Sequence, residues 1–129
     1  MFKRIIMLFL GLMPLFISCK HEEGKGGLAT IKGKVYAKDY NSNGGLVDEG
    51  YLGSARVYIS KHGETNYFDD YDTSYDGSYE FNFLYEGTYD IWVFGDCDSC
   101  TWDQVYQLKT IEVTDKREVL TVEDFLITI

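Results

Sequence analysis

From residue 28 onward the chain is built of short apolar stretches, rich in Val, Ile, Thr and aromatic residues, that alternate with polar residues and are separated by Gly, Asp and Asn. Alternation with period two is what a half-buried strand requires, because successive side chains point to opposite faces of a sheet. The pattern predicts seven strands, near 28–37, 55–60, 65–71, 78–83, 88–94, 105–113 and 119–129. No stretch in this region repeats its apolar residues at helical spacing. In the fourth run Tyr79, Phe81 and Phe83 share one face, and Glu80 and Asn82 the other. In the fifth, Tyr89, Ile91 and Val93 alternate with Asp90, Trp92 and Phe94. A buried unpaired carboxylate is costly, so Tyr89, Ile91 and Val93 are expected to face the core. Trp92 and Phe94 then form an outward apolar patch or lie beneath a neighbouring loop. Asp76-Gly77 and Glu86-Gly87 supply turns between strands. The expected architecture is all-β, a seven-stranded antiparallel sandwich.

The first residues follow another pattern. Lys3 and Arg4 precede an apolar run from Ile5 to Ile17, broken by Gly11 and Pro14 and closed by the small Ser18. A basic start, a short apolar stretch and a small exit residue define a secretory signal. A membrane-spanning helix would need about 20 apolar residues, and here Lys20-His21-Glu22-Glu23 follows at once. The segment Phe16-Ile17-Ser18-Cys19 resembles the lipobox of bacterial lipoproteins, although the usual first residue of that box is Leu. The resemblance implies that Cys19 becomes the lipidated first residue of the mature chain; ordinary secretion with an incidental thiol is the competing reading. Each buried methylene of an acyl chain contributes about 0.8 kcal/mol, so several chains on one cysteine anchor firmly. Lys20 in place of Asp after the cysteine is, by the same resemblance, compatible with an outer-membrane destination. Residues 20–27 are polar and Gly-rich, as in a flexible tether. The expected division is a signal segment over 1–18, the lipidated cysteine and tether over 19–27, and one domain over 28–129.

Charge narrows the partners. The 129-residue chain has a formal net charge of −9. Removing residues 1–18 takes away Lys3 and Arg4 and no acid, which leaves −11. Such a surface repels phosphates, which argues against nucleic-acid binding and favours a cationic partner or a metal cation. Aromatic residues make up 16% of the chain, enough apolar surface to fold despite the charge. From His62 to Leu108 there is no Lys or Arg, while 11 acidic and 13 of the 21 aromatic residues fall there.

Within that stretch Asp72, Ser74, Asp76 and Gly77 echo the first half of an EF-hand calcium loop. The twelfth position, where a bidentate Glu belongs, is Phe83, so the loop is not an EF-hand. A looser calcium site joining Asp69, Asp70, Asp72 and Asp76 stands beside the commoner alternative, a solvated acidic turn. Cys97-Asp98-Ser99-Cys100 has three readings. A local disulfide suits an exported chain. A redox pair would want a helix N-terminus and positive neighbours. A zinc site would need two further ligands, and only His21 and His62 offer imidazoles. The disulfide ranks first, free thiols second. No phosphate loop or nucleophile elbow is present, so catalysis and a resident cofactor are not expected. Trp92, Phe94 and Trp102 are the candidate binding aromatics.

The run Thr73-Ser74-Tyr75-Asp76-Gly77-Ser78-Tyr79-Glu80-Phe81, with Leu84, Gly87-Thr88-Tyr89 and Ile91-Trp92-Val93, resembles carboxypeptidase regulatory-like domains, which belong among the transthyretin-like sandwiches. Ile31 to Val35, Ala55 to Ile59 and Val122 to Ile127 fit the same pattern. The chain departs from it where Gly53-Ser54-Ala55 splits the usual Gly-Ala pair and where the connection 38–53 is long, with Asn41, Asn43, Asp48 and Glu49. The resemblance implies a non-catalytic accessory module at the cell envelope, serving as a structural or protein-interaction domain. The alternative is a calcium- or carbohydrate-binding surface module. A thiol enzyme resting on Cys97 and Cys100 ranks third.

Overall fold

β1 (Lys25–Tyr40) is the longest strand and the axis of one sheet. Along one side it pairs antiparallel with β5 (Ser78–Leu84) and then with β2 (Leu46–Tyr51). Along the other it runs parallel to β8 (Val119–Thr121) and β9 (Phe125–Thr128). The second sheet has the order β4 (Asp69–Asp72), β3 (Arg56–Lys61), β6 (Gly87–Asp96), β7 (Gln104–Val113), with every pair antiparallel. This computed structural model describes residues 22–129, and among them there is no helix. The expected signal segment, Cys19 and the first residues of the tether lie outside the described residues.

The two sheets share one core, giving a β-sandwich-like arrangement. Ile31, Val35, Phe81, Leu84 and Phe125 enter it from the first sheet; Val57, Ile59, Tyr89, Ile91 and Val93 enter from the second. Period-two alternation places Tyr89, Ile91 and Val93 inward as expected.

Four features depart from the sequence reading. First, there are nine strands rather than seven, because the connection 38–53 is itself a hairpin that adds β2 and the final run divides into β8 and β9. β1 continues to Tyr40, and the Asn41 side chain closes the turn by accepting from the Asn43 and Gly45 N–H groups at 3.0 and 2.8 Å. Second, the sheet around β1 is mixed. The final run is two strands, and both lie parallel to β1. Alternation reports burial but not strand direction, so the sequence pattern could not reveal this. Third, Phe83 is 66% exposed while Leu84 is fully buried. Phe83 adopts φ +59°, and the β1–β5 register shifts opposite it. A left-handed residue in a bulge resets the alternation, so the next side chain points inward. Fourth, residues 22–27 are not a free tether. The Gly24 N–H donates to the Tyr89 hydroxyl at 2.8 Å, the Tyr85 N–H donates to the Gly24 carbonyl at 2.9 Å, and Glu22 pairs with Lys61 at 3.5 Å.

The expected tight turn at Asp76-Gly77 forms, but it carries the chain from β4 of one sheet to β5 of the other instead of closing a hairpin. Gly77 takes φ +78°, and the Asp76 carboxylate accepts from the Ser78 hydroxyl and N–H at 2.6 and 3.1 Å. A Cβ on Gly77 would sit 2.8 Å from the Val35 carbonyl oxygen, so only glycine fits.

One core residue carries a polar liability. The Tyr79 hydroxyl is buried with no hydrogen-bond partner among the described residues, and burial pushes its pKa up. An unsatisfied buried hydroxyl is destabilising. Tyr79→Phe is therefore expected to leave stability unchanged or raise it by about 1 kcal/mol, read from the midpoint of urea unfolding. A clear loss would show that the hydroxyl has a partner in solution.

An outward aromatic face as the candidate functional site

Strand register gathers the aromatic residues that face away from the core on the second sheet. Tyr58 of β3 stands opposite Trp92 of β6, and Trp92 stands opposite Leu108 of β7. Phe94 stands opposite Tyr106. The rings touch in sequence. Tyr58 and Trp92 stack at 5.7 Å with only 16° between their planes. Tyr58 also meets Tyr67 at 4.8 Å and Phe94 at 5.9 Å, both edge-on, and Phe94 meets Tyr106 at 6.2 Å. Such pairs contribute about 0.5–1.5 kcal/mol each beyond the area they bury. The stacked pair is half-buried by its neighbours, whereas Tyr67, Phe94, Tyr106 and Leu108 are exposed. Contiguous exposed apolar surface of this kind marks contact sites. Among the described residues no loop covers Phe94, which is 43% exposed.

The other half of the same sheet face is polar and closed. Asp90 is buried, and three donors converge on its carboxylate: His62 Nδ1 at 2.8 Å, the Gly63 N–H at 2.9 Å and the Thr110 hydroxyl at 2.8 Å. Burial raises the Asp90 pKa and is the largest single influence, but the hydrogen bonds from His62, Gly63 and Thr110 together outweigh it and hold the group below its usual range. The loop after β3 is thereby fastened over the start of β6. The neighbouring Ser60 hydroxyl donates to the Glu64 carbonyl at 3.2 Å, a further tie within the same loop.

The aspartates considered for calcium are not gathered. Alternation along β4 separates Asp69 from Asp70 and Asp72. Asp69 pairs with Lys25 at 2.9 Å. Asp70 and Asp72 hold the Arg56 guanidinium at 3.4 and 3.2 Å, which keeps Arg56 firmly protonated. Asp76 belongs to the separate turn before β5. Cations from β1 and β3, distant in sequence, supply the neutralisation for which a metal was invoked. Among the described residues no three His, Cys, Asp or Glu side chains come together as a metal site.

Cys97 and Cys100 lie in the β6–β7 hairpin and are joined as a disulfide, with Cα atoms 5.4 Å apart. The Cys97 N–H donates to the Asp103 carbonyl at 2.9 Å, which closes the hairpin end. Trp102 projects from it, 85% exposed, and is not a member of the ring ladder. The expected trio of aromatics is thus divided: Trp92 and Phe94 are joined on the sheet, and Trp102 stands apart on the tip. The ladder also contains Tyr58, Tyr67 and Tyr106, which the sequence reading missed. Alternation in the run Arg56-Val57-Tyr58-Ile59 marks Tyr58 as outward, but which strands are neighbours comes only from the tertiary pairing.

The chain enters and the face opens at different ends. Glu23 lies against Gly87, at the start of β6, and Gly24 binds Tyr89. Phe94 and the disulfide tip lie at the other end of that strand, and ten residues of strand span about 30 Å.

No family model matches the chain, and no curated protein matches it. Among solved structures, a protein of Pseudomonas aeruginosa described as a "putative carbohydrate binding protein" is similar over 81% of this chain and 90% of that one, with a TM-score of 0.47 and 14% identity.

Proposed function

We propose that this chain is a non-catalytic lipoprotein of the bacterial cell envelope, anchored through lipid on Cys19, whose carboxypeptidase regulatory-like sandwich acts as an interaction module. The contact surface is the outward face of Tyr58, Trp92, Phe94 and Tyr106. The observation that carries this reading is the ring ladder itself: aromatic side chains from three strands, aligned by register and left open, on an otherwise acidic domain. The lipobox-like segment and Lys20 support an envelope location, with the outer membrane as the destination. The use of His62 and Asp90 to fasten a loop supports a role without chemistry.

A photoreactive side chain at position 94 in cells tests the surface. It is expected to give a discrete adduct, and the same group at Glu80 on the opposite sheet is expected to give none. Equal labelling from both positions would remove the face from consideration. Cys19→Ser is expected to move the chain out of the membrane fraction; unchanged membrane association would end the lipoprotein reading. A glycan ligand is the second reading, favoured by the near-parallel Tyr58 and Trp92 rings, which offer a flat surface to a sugar face.

A further inference from the structure

Resting on that reading of the aromatic face, we infer that its occupant is an extended cationic segment of a partner protein, with arginine or lysine side chains laid over the rings. Three observations select this partner. The first is charge. The face is drawn largely from the stretch 62–108, which contains no Lys or Arg, and the exposed Asp96, Asp98 and Asp103 border its distal end. At the same end, on the neighbouring strand, Arg56 is already neutralised between Asp70 and Asp72. Ring faces attract cations, and Trp, Tyr and Arg are enriched among the residues that dominate the energy of protein contacts.

The second is the exclusion of a second copy. The chain carries a net charge of −9, so two copies brought together at an acid-bordered face repel. The third is placement. The open rings at Trp92 and Phe94 lie five and seven residues along β6 from Gly87, about 17–23 Å from where residues 22–24 dock. The face is thus presented away from the end at which the chain enters the domain.

The test uses the full chain in neutral-detergent micelles, titrated with a short peptide of alternating arginine and serine and, separately, with a neutral cellulose oligosaccharide, while backbone and indole resonances are followed by NMR. The peptide is expected to shift signals around Tyr58, Trp92, Phe94 and Tyr106. Phe94→Ser, an exposed change that leaves the core intact, is expected to weaken binding by about tenfold, and Glu80→Gln to leave it unchanged. Raised salt is expected to weaken it as well. Shifts spread over the whole acidic surface, or binding indifferent to Phe94→Ser, would overturn the inference as nonspecific charge attraction. Shifts at the same rings with the oligosaccharide alone would also overturn it, while leaving the aromatic face as the functional surface. Failure of both ligands to move the rings would overturn it too, and the cross-linking at position 94 then decides the wider reading independently.

Discussion

Phe81→Ala is expected to destabilise the domain by about 3–5 kcal/mol, against a total of roughly 5–15 kcal/mol for a typical domain. Phe81 is 1% exposed. It lies across the interior from β4, with its ring 6.4 Å from Tyr71 of the second sheet and 6.0 Å from Tyr79 of its own strand, and it stands opposite Ile31 in the register. Truncation therefore removes a contact between the sheets as well as apolar burial, and rigid strands on both sides prevent collapse of the cavity. Phe83, two residues further along the same strand, is the internal control. Its side chain is out in solvent, so Phe83→Ala is expected to change stability by less than about 0.5 kcal/mol. Equilibrium urea unfolding of both variants checks the pair. Equal losses would mean that the left-handed conformation at Phe83 does not reset the alternation in solution.

Asp90→Ala is the second large effect, expected at roughly 2–3 kcal/mol because it leaves three donors without their shared acceptor. The sign of its pH dependence follows from the depressed folded pKa. Asp90 binds its proton less readily when folded than when unfolded. Its contribution is therefore fully present above the unfolded value of about 3.9 and is lost as pH falls through the lower folded value. Unfolding midpoints of the natural chain should decline over that acid range, and those of Asp90→Asn should decline less. Identical slopes would show that the His62, Gly63 and Thr110 contacts do not favour the carboxylate. The change also loosens the loop over β6, so proteolysis near Gly63 is expected to quicken in the same variant.

These two residues show how much was legible beforehand. Both lie in runs whose alternation is clear in the sequence. Period two, with the charge of Asp90 to choose the face, sets Tyr89, Ile91 and Val93 inward, and all three are buried; it groups Tyr79, Phe81 and Phe83 on one face, of which only Tyr79 and Phe81 are buried. Asp90 was assigned outward because a lone carboxylate is costly inside. It does point outward, yet it is buried, because the loop carrying His62 and Gly63 folds over it. The partners lie 28 and 27 positions away, and no local pattern announces them. The partners of the aspartates considered for calcium were hidden for the same reason. Lys25 and Arg56 lie outside the cation-free stretch, and strand pairing brings them to it.

The sequence by itself determined which residues could be strands, which face of most strands is apolar and where the tight turn at Asp76-Gly77 must fall, because these depend on side-chain period and backbone freedom between near neighbours. The tertiary structure decided strand direction, the docking of residues 22–27 and the bulge that turns Phe83 outward. It also decided the assembly of Tyr58, Trp92, Phe94 and Tyr106 into one surface. Each of these depends on which strands become neighbours, and that choice is made by the packing of the whole core rather than by any single segment.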